Sequence, residues 1–162
     1  MENNIIKFKE VLRQGMIENF KRDGSLTPIL FVYKDGEPDI MMIPPELFST
    51  QNGKEVLAQV MKNICHQPNV LALGLITEAY GAKLDAELDS INQAKIESGE
   101  IKVSELDNKV DIILMIFSTP EKEEMIAYEV DCENKVIGDL FGDEEMTQFE
   151  GMFANFFDWN KN

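Results

Sequence analysis

The sequence has little of the chemistry on which metal sites and covalent catalysis usually depend. It contains one histidine, His66, and two cysteines, Cys65 and Cys132, in 162 residues. These residues are too few for a zinc site with four nitrogen or sulfur ligands, and two cysteines are too few for a disulfide framework. Adjacent helix residues do not face each other, so Cys65 and His66 do not predict a nucleophile pair. We expect no cofactor, no bound metal and a reducing cytoplasm.

Long apolar runs and nucleotide-binding motifs are also missing. The longest apolar stretches, Val70–Ile76 and Ile112–Phe117, are far shorter than the ~20 residues that span a bilayer. The N-terminal Met-Glu-Asn-Asn has no basic region followed by an apolar one, so we expect no secretory signal. No phosphate-binding glycine loop or Gly-x-Ser-x-Gly elbow occurs. We therefore expect no membrane partner.

Basic residues are scarce and unevenly placed. The chain has 15 Lys and Arg against 30 Asp and Glu, a net charge of −15. Residues 1–80 contribute eight basic and ten acidic side chains, whereas residues 81–162 contribute seven and twenty. Such a surface repels nucleic-acid phosphates and anionic membranes, and it speeds association with basic proteins. The charge thus excludes a nucleic-acid partner and favours a protein partner that is basic.

The hydrophobic periodicity predicts one α+β domain over residues 1–162. The predicted helices cover 3–20 and 52–66, with stripes at Ile5, Phe8, Leu12, Met16 and Phe20 and at Val56, Leu57, Val60, Met61 and Ile64. The predicted strands are Leu26–Tyr33, Ile40–Ile43, Val70–Tyr80, Asp111–Ser118, Met125–Asp131 and a short Val136–Asp139. The order α-β-β-α-β-(insertion)-β-β-(β)-α predicts a mainly antiparallel sheet of five to six strands with helices packed against it.

Local patterns refine this prediction. Asp35-Gly36 favours a hairpin turn, and Gly24 suits the left-handed position after a helix. The unbroken apolar strands at 70–80 and 111–118 are expected to be central and covered on both faces. The strand at 125–131 alternates, with Ile126, Tyr128 and Val130 inward, so one exposed face is expected.

Two segments stand outside the sheet pattern. Residues 81–109 are acidic and poor in β-formers, which predicts a partly helical surface insertion, with an acidic loop as the alternative. Residues 143–159 predict a C-terminal amphipathic helix with an aromatic stripe. This stripe either covers the sheet or contacts a partner or a second copy of the chain. Its partner-binding candidates are Phe149, Met152, Phe153, Phe156, Phe157 and Trp159.

Arg22–Pro28 carries an Asp-Gly-x-x-x-Pro lead-in, Thr77–Tyr80 ends a strand with Glu-Ala-Tyr, and Pro120–Glu124 opens a later strand. These stretches resemble a family of short uncharacterised α+β proteins from phage and metagenome sequence, over roughly residues 20 to 139. The resemblance implies a phage or mobile-element origin, and with it the host cytoplasm or the virion as location. The element order is also similar to roadblock and profilin-like domains, which are often dimerisation or adaptor platforms.

Carboxylates are the only abundant catalytic groups. Glu78, Asp111, Glu129 and Asp131 lie at strand ends or share a strand face, and clustered carboxylates hold Mg²⁺. The alternative is a solvated acidic surface, with Glu78 as a structural anchor bonded to Tyr80, Lys83 or backbone amides. We expect a non-enzymatic protein–protein interaction protein: a host-factor inhibitor, an adaptor or a virion-associated component. A metal-dependent hydrolase using these four carboxylates is the alternative.

Overall fold

A computed structural model describes residues 2–34, 36–82 and 109–140. The elements are α1 (Glu2–Asp23), β1 (Ile29–Lys34), β2 (Glu37–Met42), α2 (Glu46–Ser49), α3 (Gln51–Cys65), β3 (Val70–Ala82), β4 (Lys109–Ser118), β5 (Glu123–Asp131) and β6 (Val136–Leu140). The ends of the predicted 81–109 insertion belong to β3 and β4, and its interior lies outside the described residues. The predicted helix at 143–159 lies outside them as well.

The strands form one six-stranded sheet in the order β2-β1-β3-β4-β5-β6, and every neighbouring pair is antiparallel. The predicted α+β class, with helices packed against an antiparallel sheet, is confirmed. β3 and β4 occupy the centre, as their unbroken apolar sequences predicted. β2 and β6 are the two edge strands.

The helices cover opposite faces of the sheet. α1 packs Phe8, Leu12, Met16 and Phe20 on one face, so the predicted stripe of this helix is buried. α3 packs Leu57, Met61 and Cys65 on the other face. Side chains alternate across a strand, so the continuous apolar sequence of β3 serves both clusters. In the part of the chain that the structure describes, no helix is long and apolar enough to cross a bilayer.

Close approach of α1 to the sheet depends on glycine. A Cβ on Gly74 of β3 would lie 2.7 Å from Leu12 Cδ1, so a side chain there would push the helix outward. Gly24 ends α1 with φ 73° and donates its N–H to Phe20 O at 2.7 Å, as predicted for the left-handed position. A Cβ on Gly24 would also lie 2.9 Å from Cys132 O, because the β5–β6 turn packs against this helix end.

Two apolar patterns were assigned wrongly from the sequence. Val56 and Val60 of α3 are exposed by 49% and 40%, because the buried stripe follows Leu57 and Met61 along the helix. The outer face of β5 is covered at Ala127, which is only 1% exposed. The expectation of one fully exposed face on this strand was therefore wrong at Ala127, while Asp131 is exposed.

The first hairpin also differs in its bounds. β1 begins at Ile29 rather than Leu26, because residues 25–28 approach the sheet without joining its ladder. β2 begins at Glu37 rather than Ile40, because Lys34 pairs with Glu37 and fixes a short turn. All six residues of β2 are exposed, including the apolar residues Ile40, Met41 and Met42. This edge strand is the least covered part of the described sheet.

Candidate functional site

Glu78 anchors the segment that leads into the first strand. Its Oε1 atom accepts a hydrogen bond of 2.7 Å from the backbone N–H of Leu26, and Leu26 packs against the α1-side cluster. Of the partners predicted for Glu78, a backbone amide is confirmed, and Lys83 lies outside the described residues. Glu78 itself is exposed in the C-terminal half of β3. The bond therefore ties the segment that precedes β1 to β3.

A small cavity of about 220 Å³ lies beside Glu78. Tyr80 and Asp111 face each other in the β3–β4 register, and both line this cavity with Glu78 and Cys132. The sheet thus brings together two of the four predicted carboxylates, Glu78 and Asp111. The cavity is too small for a typical drug-sized ligand, whose pockets measure about 300–1,000 Å³.

The other two predicted carboxylates have different surroundings. Glu129 lies opposite Ile112 in the β4–β5 register. Asp131 holds the β5–β6 turn: its Oδ1 accepts the N–H of Asn134 at 3.0 Å, and its Oδ2 accepts the side-chain amide at 2.8 Å. The hydrogen bonds from Asn134 hold the pKa of Asp131 below its usual range. Among the described residues, no group of three or more His, Cys, Asp or Glu side chains is placed to hold a metal ion.

The two thiols are poor nucleophiles. Burial, with a smaller contribution from Glu123, raises the pKa of Cys65 to about 12. Cys132 is exposed, yet its pKa is also raised, first by partial burial and then by the negative charges of Asp111, Glu78 and Asp131. A thiolate is the reactive form of cysteine, so the raised pKa values make both thiols less reactive at neutral pH than an ordinary cysteine. This arrangement does not support cysteine chemistry at the cavity.

Sequence reasoning missed a buried charge cluster beneath α1. Glu124 is only 2% exposed, and its Oε2 accepts a hydrogen bond of 3.1 Å from Lys9 Nζ, while Lys122 Nζ lies 2.7 Å from Oε1. One turn further along α1, Arg13 donates to Tyr128 Oη at 2.8 Å. The signal was present, because the alternation that places Ile126 and Tyr128 inward also places Glu124 inward. These contacts join α1 to β5.

The second feature that the sequence did not reveal is an apolar surface at the β2 edge. Ile40, Met41 and Met42 are 62%, 44% and 67% exposed, and Val11 on the facing side of α1 is 68% exposed. A groove of about 380 Å³ runs between α1 and the β1–β2 hairpin. Its walls include Val11, Leu12 and Met16 of α1 and Ile29, Phe31 and Met42 of the hairpin. We call the groove together with Ile40, Met41 and Met42 the β2 edge surface.

The polar rim of this groove lies at the end of α1. Arg22 and Asp23 border it and form an ion pair of 2.8 Å with each other. Both are largely exposed, and this exposed pair contributes little to stability. The rest of the lining is mainly apolar, so the groove favours an apolar side chain.

Comparison of the chain with protein-family models, curated proteins and solved structures gives no match. The aromatic candidates Phe149, Met152, Phe153, Phe156, Phe157 and Trp159 lie outside the described residues. Their role in partner binding or in a homodimer therefore stays a prediction. The β2 edge surface is the candidate site that the described residues provide.

Proposed function

We propose that this protein works without catalysis, by binding another protein at the β2 edge surface. The observation that carries the proposal is the exposure of Ile40 and Met42 on an edge strand next to an apolar groove, with Met41 exposed on the other face of the same strand. Contiguous apolar surface on a monomer often marks an interaction site, and methionine is enriched at the cores of interfaces.

The edge itself supports this proposal. Natural edge strands avoid pairing by means of charges, prolines, bulges or a covering segment. In β2 these devices are confined to the half near the turn, where Glu37, Pro38 and Asp39 lie. The half at Ile40–Met42 carries no charged residue and no proline. Pairing is thus opposed at one end of the strand, and at the other end no described strand occupies the edge.

The charge of the chain supports a basic partner. A net charge of −15 steers positively charged proteins toward the molecule and repels polyanions. A host-factor inhibitor, an adaptor and a virion-associated component all use binding of this kind. The phage or mobile-element origin belongs to the same proposal, and the sequence resemblance is its support.

The hydrolase alternative has weaker support. Two of its four carboxylates, Glu78 and Asp131, already accept hydrogen bonds from Leu26 and Asn134 that hold local structure. Among the described residues, no three His, Cys, Asp or Glu side chains are placed to hold a metal ion.

Site-specific photocrosslinking tests the proposed function. A benzoylphenylalanine at position 42 should capture one protein from the native host, whereas the same group at position 136 should not. Val136 is a matched control, since it is 52% exposed on the opposite edge strand. Excess unmodified chain should compete for capture, and an Ile40→Asp chain should compete poorly. Equal capture from both positions, or equal competition by both chains, would overturn the proposal.

A further inference from the structure

We infer that the partner contributes an extended segment that adds to β2 as a seventh strand, with apolar and basic side chains in alternation. This inference rests on the proposed function and specifies its binding mode. Addition of a strand to an exposed sheet edge is a common form of peptide recognition, in which the backbone supplies affinity and alternate side chains supply specificity.

The backbone of β2 presents hydrogen-bonding groups outward at regular positions. Lys34 and Glu37 close the hairpin, and hydrogen-bonded pairs then alternate with non-hydrogen-bonded pairs along an antiparallel ladder. Asp39 and Met41 therefore direct their backbone groups toward β1, whereas Pro38, Ile40 and Met42 direct theirs away from it. Proline has no N–H, so the available outward donors are those of Ile40 and Met42. A partner strand is predicted to bond at these two residues.

The two faces of β2 differ in chemistry. Ile40 and Met42 pair with Phe31 and Ile29, which line the groove, so they share the α1 face of the sheet. Glu37, Asp39 and Met41 occupy the other face, because side chains alternate along a strand. Side chains directly opposite each other on neighbouring strands interact, and opposite charges there are favourable. A matching strand has apolar residues on the groove face and basic residues opposite Glu37 and Asp39.

Asp39 already has one cation nearby. Lys34 Nζ lies 3.4 Å from Asp39 Oδ2, while 64% of the Asp39 side chain remains exposed. A basic residue on an added strand approaches Asp39 from the side opposite to Lys34. This basic residue would extend the Lys34–Asp39 pair into a network. The negative charge of Glu37, on the same face of β2, would add to the attraction.

A second copy of the chain fits this edge less well. In any antiparallel register that uses the outward groups of both copies, each residue of the set Glu37, Asp39, Met41 and Ile43 lies opposite another member of that set. The acidic residues would then lie opposite acidic or apolar residues, never a cation. Two molecules of net charge −15 also repel each other. Charge complementarity favours a basic strand from a different protein.

The test uses the full chain and the capped peptide Lys-Val-Lys-Val-Lys-Val. We expect binding that weakens as salt is added, together with slowed hydrogen exchange at the amides of Ile40 and Met42. A fully N-methylated peptide keeps the side chains and charge but has no backbone donor, and it should bind at least about tenfold more weakly, a difference of ~1.4 kcal/mol. The peptide Glu-Val-Glu-Val-Glu-Val should not bind.

Variants separate the charge contribution from the backbone contribution. Glu37→Gln should weaken binding of the lysine peptide, whereas Glu133→Gln, an exposed control in the β5–β6 turn, should not. Equal affinity of the N-methylated peptide would overturn strand addition while leaving the proposed function intact. No binding of the lysine peptide would overturn the inference, and the crosslinking at position 42 tests the proposed function independently.

Slow hydrogen exchange at the amides of Ile40 and Met42 in the absence of peptide would also overturn the inference. If the amides of Ile40 and Met42 are already slow to exchange and slow further as protein concentration rises, a second copy occupies the edge. If they are slow at every concentration, another segment of the same chain occupies it.

Discussion

Lys9 and Glu124 are 115 residues apart in sequence, yet the ammonium of one donates to the carboxylate of the other at 3.1 Å under α1. Glu124 is almost completely buried, and the Lys9 side chain is only 12% exposed. Buried charges are expensive unless they are paired, so this contact fixes the position of the first helix on β5. The position of α1 in turn shapes one wall of the groove at the β2 edge surface.

Removing the buried carboxylate should be strongly destabilising. Glu124→Ala removes a nearly buried carboxylate that pairs with both Lys9 and Lys122, and we expect a loss of about 3–5 kcal/mol in the free energy of unfolding. Urea denaturation measures this loss. Glu121→Ala, an exposed change in the same turn, should alter the stability by no more than about 0.5 kcal/mol. The double variant Lys9→Met/Glu124→Leu should be more stable than Glu124→Ala alone, and the opposite order would contradict the account.

The contacts of Glu124 with Lys9 and Lys122 also predict how the stability of the protein changes as pH falls. Burial alone would raise the pKa of Glu124, but the ammonium groups of Lys122 and Lys9 outweigh burial and lower it from the ordinary value of 4.5. A lowered folded-state pKa stabilises the protein above the unfolded-state pKa, and the stabilisation is lost as pH falls through the folded-state pKa. We therefore expect the free energy of unfolding to decline below about pH 4.5.

A Glu124→Gln chain supplies the control for this pH dependence. It should show a shallower decline than the unmodified chain, because its side chain does not titrate. A residual decline remains, since hydrogen bonds from Arg22 and Asn134 also lower the pKa values of Asp23 and Asp131. Urea midpoints measured from neutral to acidic pH give the decline in stability for each chain. An identical decline in the two chains would show that Glu124 does not contribute to the pH dependence of stability.

Glu78 is predicted to act as a structural anchor. Glu78→Ala removes the acceptor of the Leu26 N–H, and we expect a loss of about 1 kcal/mol together with faster hydrogen exchange at Leu26. Glu78→Gln keeps a side-chain oxygen and should cost less. Nuclear magnetic resonance follows the Leu26 amide directly. Unchanged exchange at Leu26 in the alanine variant would show that the bond does not hold this segment.

The thiols should differ in reactivity for reasons of burial and charge. Cys65 should not react with a disulfide reagent in the folded protein, because it is buried and its pKa is raised to about 12. Cys132 should react slowly at neutral pH and faster as pH rises. Asp111→Asn removes one of the negative charges that raise the pKa of Cys132, so its reaction should accelerate about two- to fivefold. An unchanged rate would mean that Asp111 does not influence this thiol.

The sequence predicted the elements whose patterns were unambiguous. The helical repeat at Phe8, Leu12, Met16 and Phe20 predicted both the first helix and the face of that helix that is buried. The apolar length of β3 and β4 gave their central positions, because a strand covered on both faces has no polar alternation. The antiparallel class then followed from short turns and the order of elements.

The site was harder to predict, because it depends on which elements lie next to each other. Periodicity marks Ile40 and Met42 as strand residues, but it does not show that their strand lies at the sheet edge. The alternation with Ile126 indicates that Glu124 points inward. It does not identify the partner of Glu124, because Lys9 is distant in sequence. The position of Glu78 after an apolar run marked it as a possible anchor, but only the fold reveals its bond to Leu26.

Titration calorimetry with the partner captured from position 42 tests the central claim most directly. The account predicts that Ile40→Asp weakens binding at least about a hundredfold, or ~2.8 kcal/mol, because a charge enters an apolar contact. Val136→Asp places the same charge on an exposed residue of the opposite edge and should leave the affinity unchanged within about twofold. Equal affinities of the two variants, with both chains folded, would contradict the claim that the β2 edge surface binds the partner.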